Sequence, residues 1–164
     1  MAPSLRQSLS RKDLANARQR MALARMLGIA DNEVLALAHL ARHGTLTPSA
    51  LGRLLGLSSG GATTLVQRLE RGGHVVRTVN PSDGRSSLLQ LTSATAHAVS
   101  RALAPLVSDI DRLASDFTPA ERDAITRFME CAAEIVEDHA SRIESALEDD
   151  ERTKVTLALP GLWG

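Results

Sequence analysis

The sequence predicts a mainly α fold with one small antiparallel β-hairpin, arranged as a winged helix-turn-helix between N- and C-terminal dimerisation helices. Three observations predict it. Apolar residues recur at three- and four-residue spacing along most of the 164 residues, the pattern of helices with one buried face. That period becomes two only in HVVRTV (His74 to Val79) and SSLLQLT (Ser86 to Thr92), which flank the turn signal Asp83-Gly84. Immediately before them lie two short helical segments, ended by Gly56 and by Gly72-Gly73 and separated by a few residues, as in a helix-turn-helix.

The elements follow in order. Leu14, Ala17, Met21, Ala24 and Leu27 mark an amphipathic helix from about residue 5 to 27, ending at Gly28. Asp31 is placed to cap a second helix whose apolar face holds Val34, Leu37, Ala38 and Ala41 and which ends near His43-Gly44. In TPSALGRLLG, Thr47 is the N-cap, Pro48 takes the first helical position, Leu51, Leu54 and Leu55 turn inward, and Gly56 terminates. Ser58 then caps a helix that buries Ala62, Leu65, Val66 and Leu69. An isolated hairpin is marginal, so Val75, Val79, Leu89 and Leu91 are expected to pack on these helices. Asp83-Gly84 suits a type I′ turn, whose two central residues both need positive φ.

From Ser93 the helical period returns. Ala96, Val99, Leu103, Leu106, Ile110, Leu113 and Phe117 form a heptad-like stripe, with Pro105 inside it as an expected kink. Thr118-Pro119-Ala120-Glu121 reads as a capping box opening a last helix with Ile125, Phe128, Ala132, Ile135 and Ile143 on one side, running to about Leu147 and ended by the acidic EDDE. The expected organisation is therefore 1–30, an N-terminal dimerisation helix; 31–92, the winged unit; 93–150, long dimerisation helices; and 151–164, an apolar tail. The long narrow stripes exceed what some 60 residues of winged helix-turn-helix would cover, and a second copy related by a two-fold is their natural partner.

Formal charge is zero overall but segregated. Residues 42–101 carry seven arginines against Glu70 and Asp83, a net +5, whereas residues 102–152 carry fourteen acids against five arginines, a net −9. The middle suits a polyanion and the C-terminal part repels one. No run approaches transmembrane length and the N-terminus lacks the apolar region of a signal peptide, so a cytoplasmic protein with no membrane partner is expected.

The run TPSALGRLLGLSSGGATTLVQRLERGGHVVRTVNPSDGRSSLLQLT resembles the MarR family of bacterial transcriptional regulators. The features that carry the resemblance are the Thr-Pro start of the first short helix, LxxRLERGG leading into HVVR, and PSDGR before a strand ending in Leu-Thr. The resemblance implies a homodimer that binds double-stranded, pseudo-palindromic operator DNA, usually as a repressor relieved by a small aromatic or phenolic effector. It places the recognition surface on Ser58 to Arg68 in the major groove, and Asp83 and Arg85 at a wing tip reaching the minor groove.

The residues themselves suggest how that surface works. Ser59, Gly60, Thr63, Thr64, Gln67 and Arg68 lie opposite the buried positions. Thr63, Thr64 and Gln67 are suited to base edges, since Gln pairs bidentately with adenine and a Thr methyl meets that of thymine. Ser58, Ser59 and Arg68 are suited to phosphates, helped by the helix dipole. Arg53, Arg71 and Arg77 are further phosphate candidates, Arg77 having an ion pair with Glu70 or Asp83 as its alternative; Ser86 borders the wing tip. Members of the family often carry larger polar residues near Gly60, Gly61 and Thr64. Base readout is therefore expected to be modest, with shape readout through Arg85 carrying a larger share.

No enzyme constellation emerges and no cofactor or catalytic residue is expected: Gly60-Gly61 opens a helix with no preceding strand and no following Lys, and no nucleophile motif is present. Cys131 reads as a packed small hydrophobe, and His39 and His43, with His97, make only a weak metal set. An effector pocket is expected where the first, second and fifth helices meet the DNA-binding unit. The rival class is a non-enzymatic winged-helix module for protein–protein contacts.

Overall fold

The computed structural model describes residues 3–81, 83 and 86–157, with side chains through residue 147. The chain forms two compact units, Met1–Leu106 and Val107–Gly164. The first contains α1 (Leu5–Leu27), α2 (Asp31–His43), α3 (Pro48–Leu54), α4 (Ser59–Arg71), the strands β1 (Val75–Val79) and β2 (Ser87–Leu91), and the opening turns of α5 (Ser93–Ser115). The second contains the rest of α5 and α6 (Pro119–Leu157).

Helix ends in the first unit are set by local chemistry. The Ser4 hydroxyl accepts from Gln7 N while Gln7 accepts from Ser4 N, which opens α1, and Gly28 closes it in the left-handed conformation, φ 69°. Thr47 and Ser58 cap α3 and α4 as the sequence predicts, accepting from Ala50 N and Gly61 N. The second helix differs. Its N-cap is Ala30, whose N–H is satisfied by the Glu33 carboxylate at 2.8 Å, and Asp31 is already helical.

The core gathers Ala36, Leu37, Leu40, Leu51, Leu65, Val66, Leu69, Val75 and Leu89. Two expected inward faces are corrected. Helix α2 buries Glu33, Val34, Ala36, Leu37 and Leu40, while Ala38 and Ala41 are exposed. The face is turned by about one residue because Leu40 offers far more apolar area than Ala41. Leu54 and Val79 are exposed, Leu54 at the end of a two-turn helix and Val79 at the far end of β1, beyond the reach of the helices. Helices α3 and α4 approach so closely that a Cβ on buried Gly52 would lie 2.8 Å from that of Ala62.

Strands β1 and β2 pair antiparallel, Val75 opposite Leu91 and Val79 opposite Ser87. A feature the sequence pattern missed holds the hairpin in place: Leu46, between α2 and α3, exchanges both backbone hydrogen bonds with Leu89. The connection is also longer than a two-residue turn. Asn80 N donates to Ser86 O, Asp83 N to Asn80 O, and Ser86 N to Asp83 O. Among the described residues no non-glycine has positive φ, so Asp83 does not take the first central position of a type I′ turn. At the base of the hairpin, the Thr92 hydroxyl bonds Gly73 O and the Thr95 hydroxyl, which in turn contacts His74 Nδ1 at 3.1 Å.

In the second unit, α6 opens with the expected capping box: Thr118 N donates to Glu121 Oε2 at 2.8 Å and Glu121 N to Thr118 Oγ1 at 3.4 Å. The helix then continues to Leu157, ten residues past the expected end. Acidic residues lack the stopping power of glycine or proline, and the first proline beyond them is Pro160. Residues 158–164 of the expected tail lie outside the described residues. Cys131 is exposed instead of packed. Among the described residues no helix is long and apolar enough to cross a membrane.

Candidate nucleic-acid interface

Helix α4 is two-faced. Its inner side is filled by Ala62, Leu65, Val66 and Leu69, and Ser59, Gly60, Thr63, Thr64 and Gln67 are exposed on the other. Residues 59/60, 63/64 and 67 fall on successive turns of that face. The first turn carries no acid, so its free N–H groups and the positive end of the helix dipole meet solvent uncompensated. The Thr63 hydroxyl donates to Ser59 O at 2.9 Å, and its oxygen keeps its capacity to accept.

The two glycines of this turn differ. A Cβ on Gly60 would meet nothing within 4 Å, whereas one on Gly61 would touch the capping Ser58 hydroxyl at 3.4 Å and the Leu57 side chain. The chain's own packing therefore gives no reason for glycine at 60. Open space over the first turn is what a closely approaching partner backbone needs.

Two arginines expected to hold phosphates are engaged within the protein. Arg68 Nε lies 2.7 Å from Oε1 of Glu33, whose side chain is 6% exposed. Arg77 donates from Nε and Nη2 to the Glu70 carboxylate at 3.0 and 3.3 Å, and from Nη1 to Ser87 Oγ at 2.8 Å. This is the ion-pair alternative for Arg77, and the hydrogen bond to Glu70 raises its pKa against the opposing effect of burial. Arg71 donates to Gln67 O. Ser86 is half-buried; its hydroxyl accepts from Asn80 Nδ2 at 2.8 Å and donates to Asp83 O, which ties the loop to itself. Asp83 is exposed on the same loop. Gly84 and Arg85 lie outside the described residues. The sequence reading missed Glu33; the signal was there, an acid three residues into a helix on its leucine-bearing face.

His39 and His43 stack with ring centroids 6.3 Å apart, and among the described residues no group of three or more metal-type side chains comes together.

Comparison with known proteins places this arrangement. Residues 27–86 match the sequence pattern described as the MarR family. Over 123 residues the chain is 31% identical to an uncharacterized HTH-type transcriptional regulator, YcgE, of Bacillus subtilis (strain 168), covering 75% of this chain and 80% of that protein. The chain belongs to the MarR family. The fold of this MarR-family protein is also similar to that of the transcriptional regulator Tm0710 from Thermotoga maritima, with TM-score 0.58, 23% identity, and 83% and 96% of the two chains covered. A MarR protein from Peptoclostridium difficile gives TM-score 0.59 at 15% identity over 87% and 94%, and apo wild-type MarR from E. coli gives 0.53 at 21% over 80% and 98%. As a MarR-family winged helix-turn-helix, the chain is a transcriptional regulator, with α3 and α4 as its helix-turn-helix and β1–β2 as its wing.

Proposed function

We propose that this MarR-family regulator binds a pseudo-palindromic operator in double-stranded DNA as a homodimer, in the cytoplasm, and represses transcription until a small aromatic or phenolic effector relieves binding. The observation that carries the reading is the outer face of α4: Ser59, Gly60, Thr63, Thr64 and Gln67 stand exposed and free of acids on a helix fixed from beneath by fully buried leucines. In this reading α4 lies in the major groove. Thr63, Thr64 and Gln67 meet base edges, the Ser58–Gly60 turn meets phosphate, and Asp83 and Arg85 bring the wing tip to the minor groove. The homodimer is supported by the apolar residues left exposed on the long helices, among them Ile110, Leu113, Ile135 and Leu147.

The test is binding to the protein's own promoter fragment and to random DNA across a salt series. Preferential binding that falls steeply with salt is expected, with half-sites about 34–36 Å apart. No retention on any DNA at low salt would favour the winged-helix protein-interaction module instead.

A further inference from the structure

The second half of α4 is held by charge from two sides. Glu70 is tied to Arg77 of β1, and Arg68 to Glu33 in the first turn of α2. Of these acids Glu33 is the buried one. Its two carboxylate oxygens are divided: Oε2 accepts the Ala30 N–H and closes the N-terminus of α2 at 2.8 Å, while Oε1 receives no aligned hydrogen bond from the described residues and has the Arg68 guanidinium 2.7 Å away as its charge partner. Two residues earlier, Asp31 takes both its oxygens to Arg20 Nε on α1 at 3.1 Å. The opening turn of α2 is thus a junction that grips α1 on one side and the recognition helix on the other.

We propose that Glu33 is a positioning residue for DNA recognition, acting through Arg68 to set the orientation of α4. The inference rests on the DNA-binding reading and deepens it. A buried carboxylate whose compensation comes from one guanidinium makes that guanidinium's place costly to change. Arg68 sits on α4 one residue past Gln67 and four past Thr64, so fixing it fixes the rotation of the face that carries them. The first turn, with Gly60 and Gly61, is held by the Ser58 cap on Gly61 N and, among the described residues, by no ion pair of this kind. Arg68 then serves specificity without being a phosphate contact, although its side chain is 47% exposed.

Glu33→Gln, Arg68→Gln and the double variant test this, with circular dichroism to verify folding and the promoter fragment and random DNA as probes over a salt series. Each single variant is expected to lower the preference for the promoter roughly tenfold, the double no more than either, because both remove one coupling. The salt slope should stay that of the wild type. A slope reduced by about one in Arg68→Gln, with equal losses on both DNAs and Glu33→Gln unchanged, would identify Arg68 as a phosphate contact and overturn the proposal. Additive losses would overturn it too. The double variant leaves neither charge unpaired and keeps the test decisive if a single variant fails to fold: the tenfold loss of preference with an unchanged salt slope is expected of it too, and an unchanged preference would overturn the proposal. Failure of the wild type to bind any DNA would instead overturn the regulator reading, and is seen before any variant is compared.

Discussion

The two units of the chain solve the problem of apolar surface in opposite ways. In Met1–Leu106, Leu40, Leu51, Leu65, Leu69 and Leu89 are at most 1% exposed, and residues from several short elements cover one another in one core. In Val107–Gly164 most large apolar residues with described side chains stay open: Ile110 is 55% exposed, Ile135 65% and Leu147 61%. Apolar residues repeat at helical spacing in the helices of both units, so the difference lies in what each stripe is given to pack on. One unit is stabilised by its own contacts, and the other carries a seam whose area counts toward stability only when a partner covers it.

The largest effect that separates them is a truncation in the first unit. Leu40→Ala removes a side chain packed among Leu51, Leu65 and Leu89 and should cost about 2–5 kcal/mol in denaturant unfolding, since a well-packed site refills poorly. A loss well below that range would mean that the winged unit is not held by this core. The intermediate effect comes from the seam. Ile110→Asp places a charge on the open stripe of α5, and should leave helix content unchanged while weakening the proposed dimer at least about tenfold, read by sedimentation over a dilution series. Unchanged association would place the dimer contact elsewhere.

The same contrast explains what was legible beforehand. Caps and stops are written in one or two adjacent residues, and Ser58, Thr47-Pro48 and Gly28 specify helix ends without reference to anything distant. Buried faces were legible where the apolar residues lie on one side only, as Ala62, Leu65, Val66 and Leu69 do in α4, and misread in α2, where seven apolar residues, 34–38, 40 and 41, surround most of the helix and the outcome depends on what lies opposite. The Leu46–Leu89 bridge and the Glu33–Arg68 pair join residues 43 and 35 positions apart. Neither follows a local period, and each emerges only once the elements are packed. The exposed recognition face was predictable because it is the complement of a clear stripe. The engagement of Arg68 and Arg77 was less so, because an arginine's sequence neighbours do not say whether its long side chain turns to solvent or reaches back to a carboxylate.

The smallest effect belongs to the second unit and shows what it supplies on its own. Glu121 is fully exposed, yet its pKa is lowered, first by the hydrogen bond from the Thr118 hydroxyl and then by that from the Thr118 N–H. A carboxylate whose folded pKa lies below its unfolded value adds stability that is fully present above the unfolded value and disappears as pH falls through the folded one. The capping box should therefore hold the start of α6 at neutral pH and release it in acid. Thr118→Ala removes both the hydroxyl that donates to Glu121 and the cap that accepts from its N–H, and should lower Tm by about 2–4 °C at pH 7. Because the variant has no hydroxyl bond to lose, its deficit relative to the wild type should shrink as the pH is taken below the ordinary carboxylate range. A deficit constant with pH would show that the cap acts through the neutral Thr118 acceptor alone and that the Glu121 charge contributes nothing.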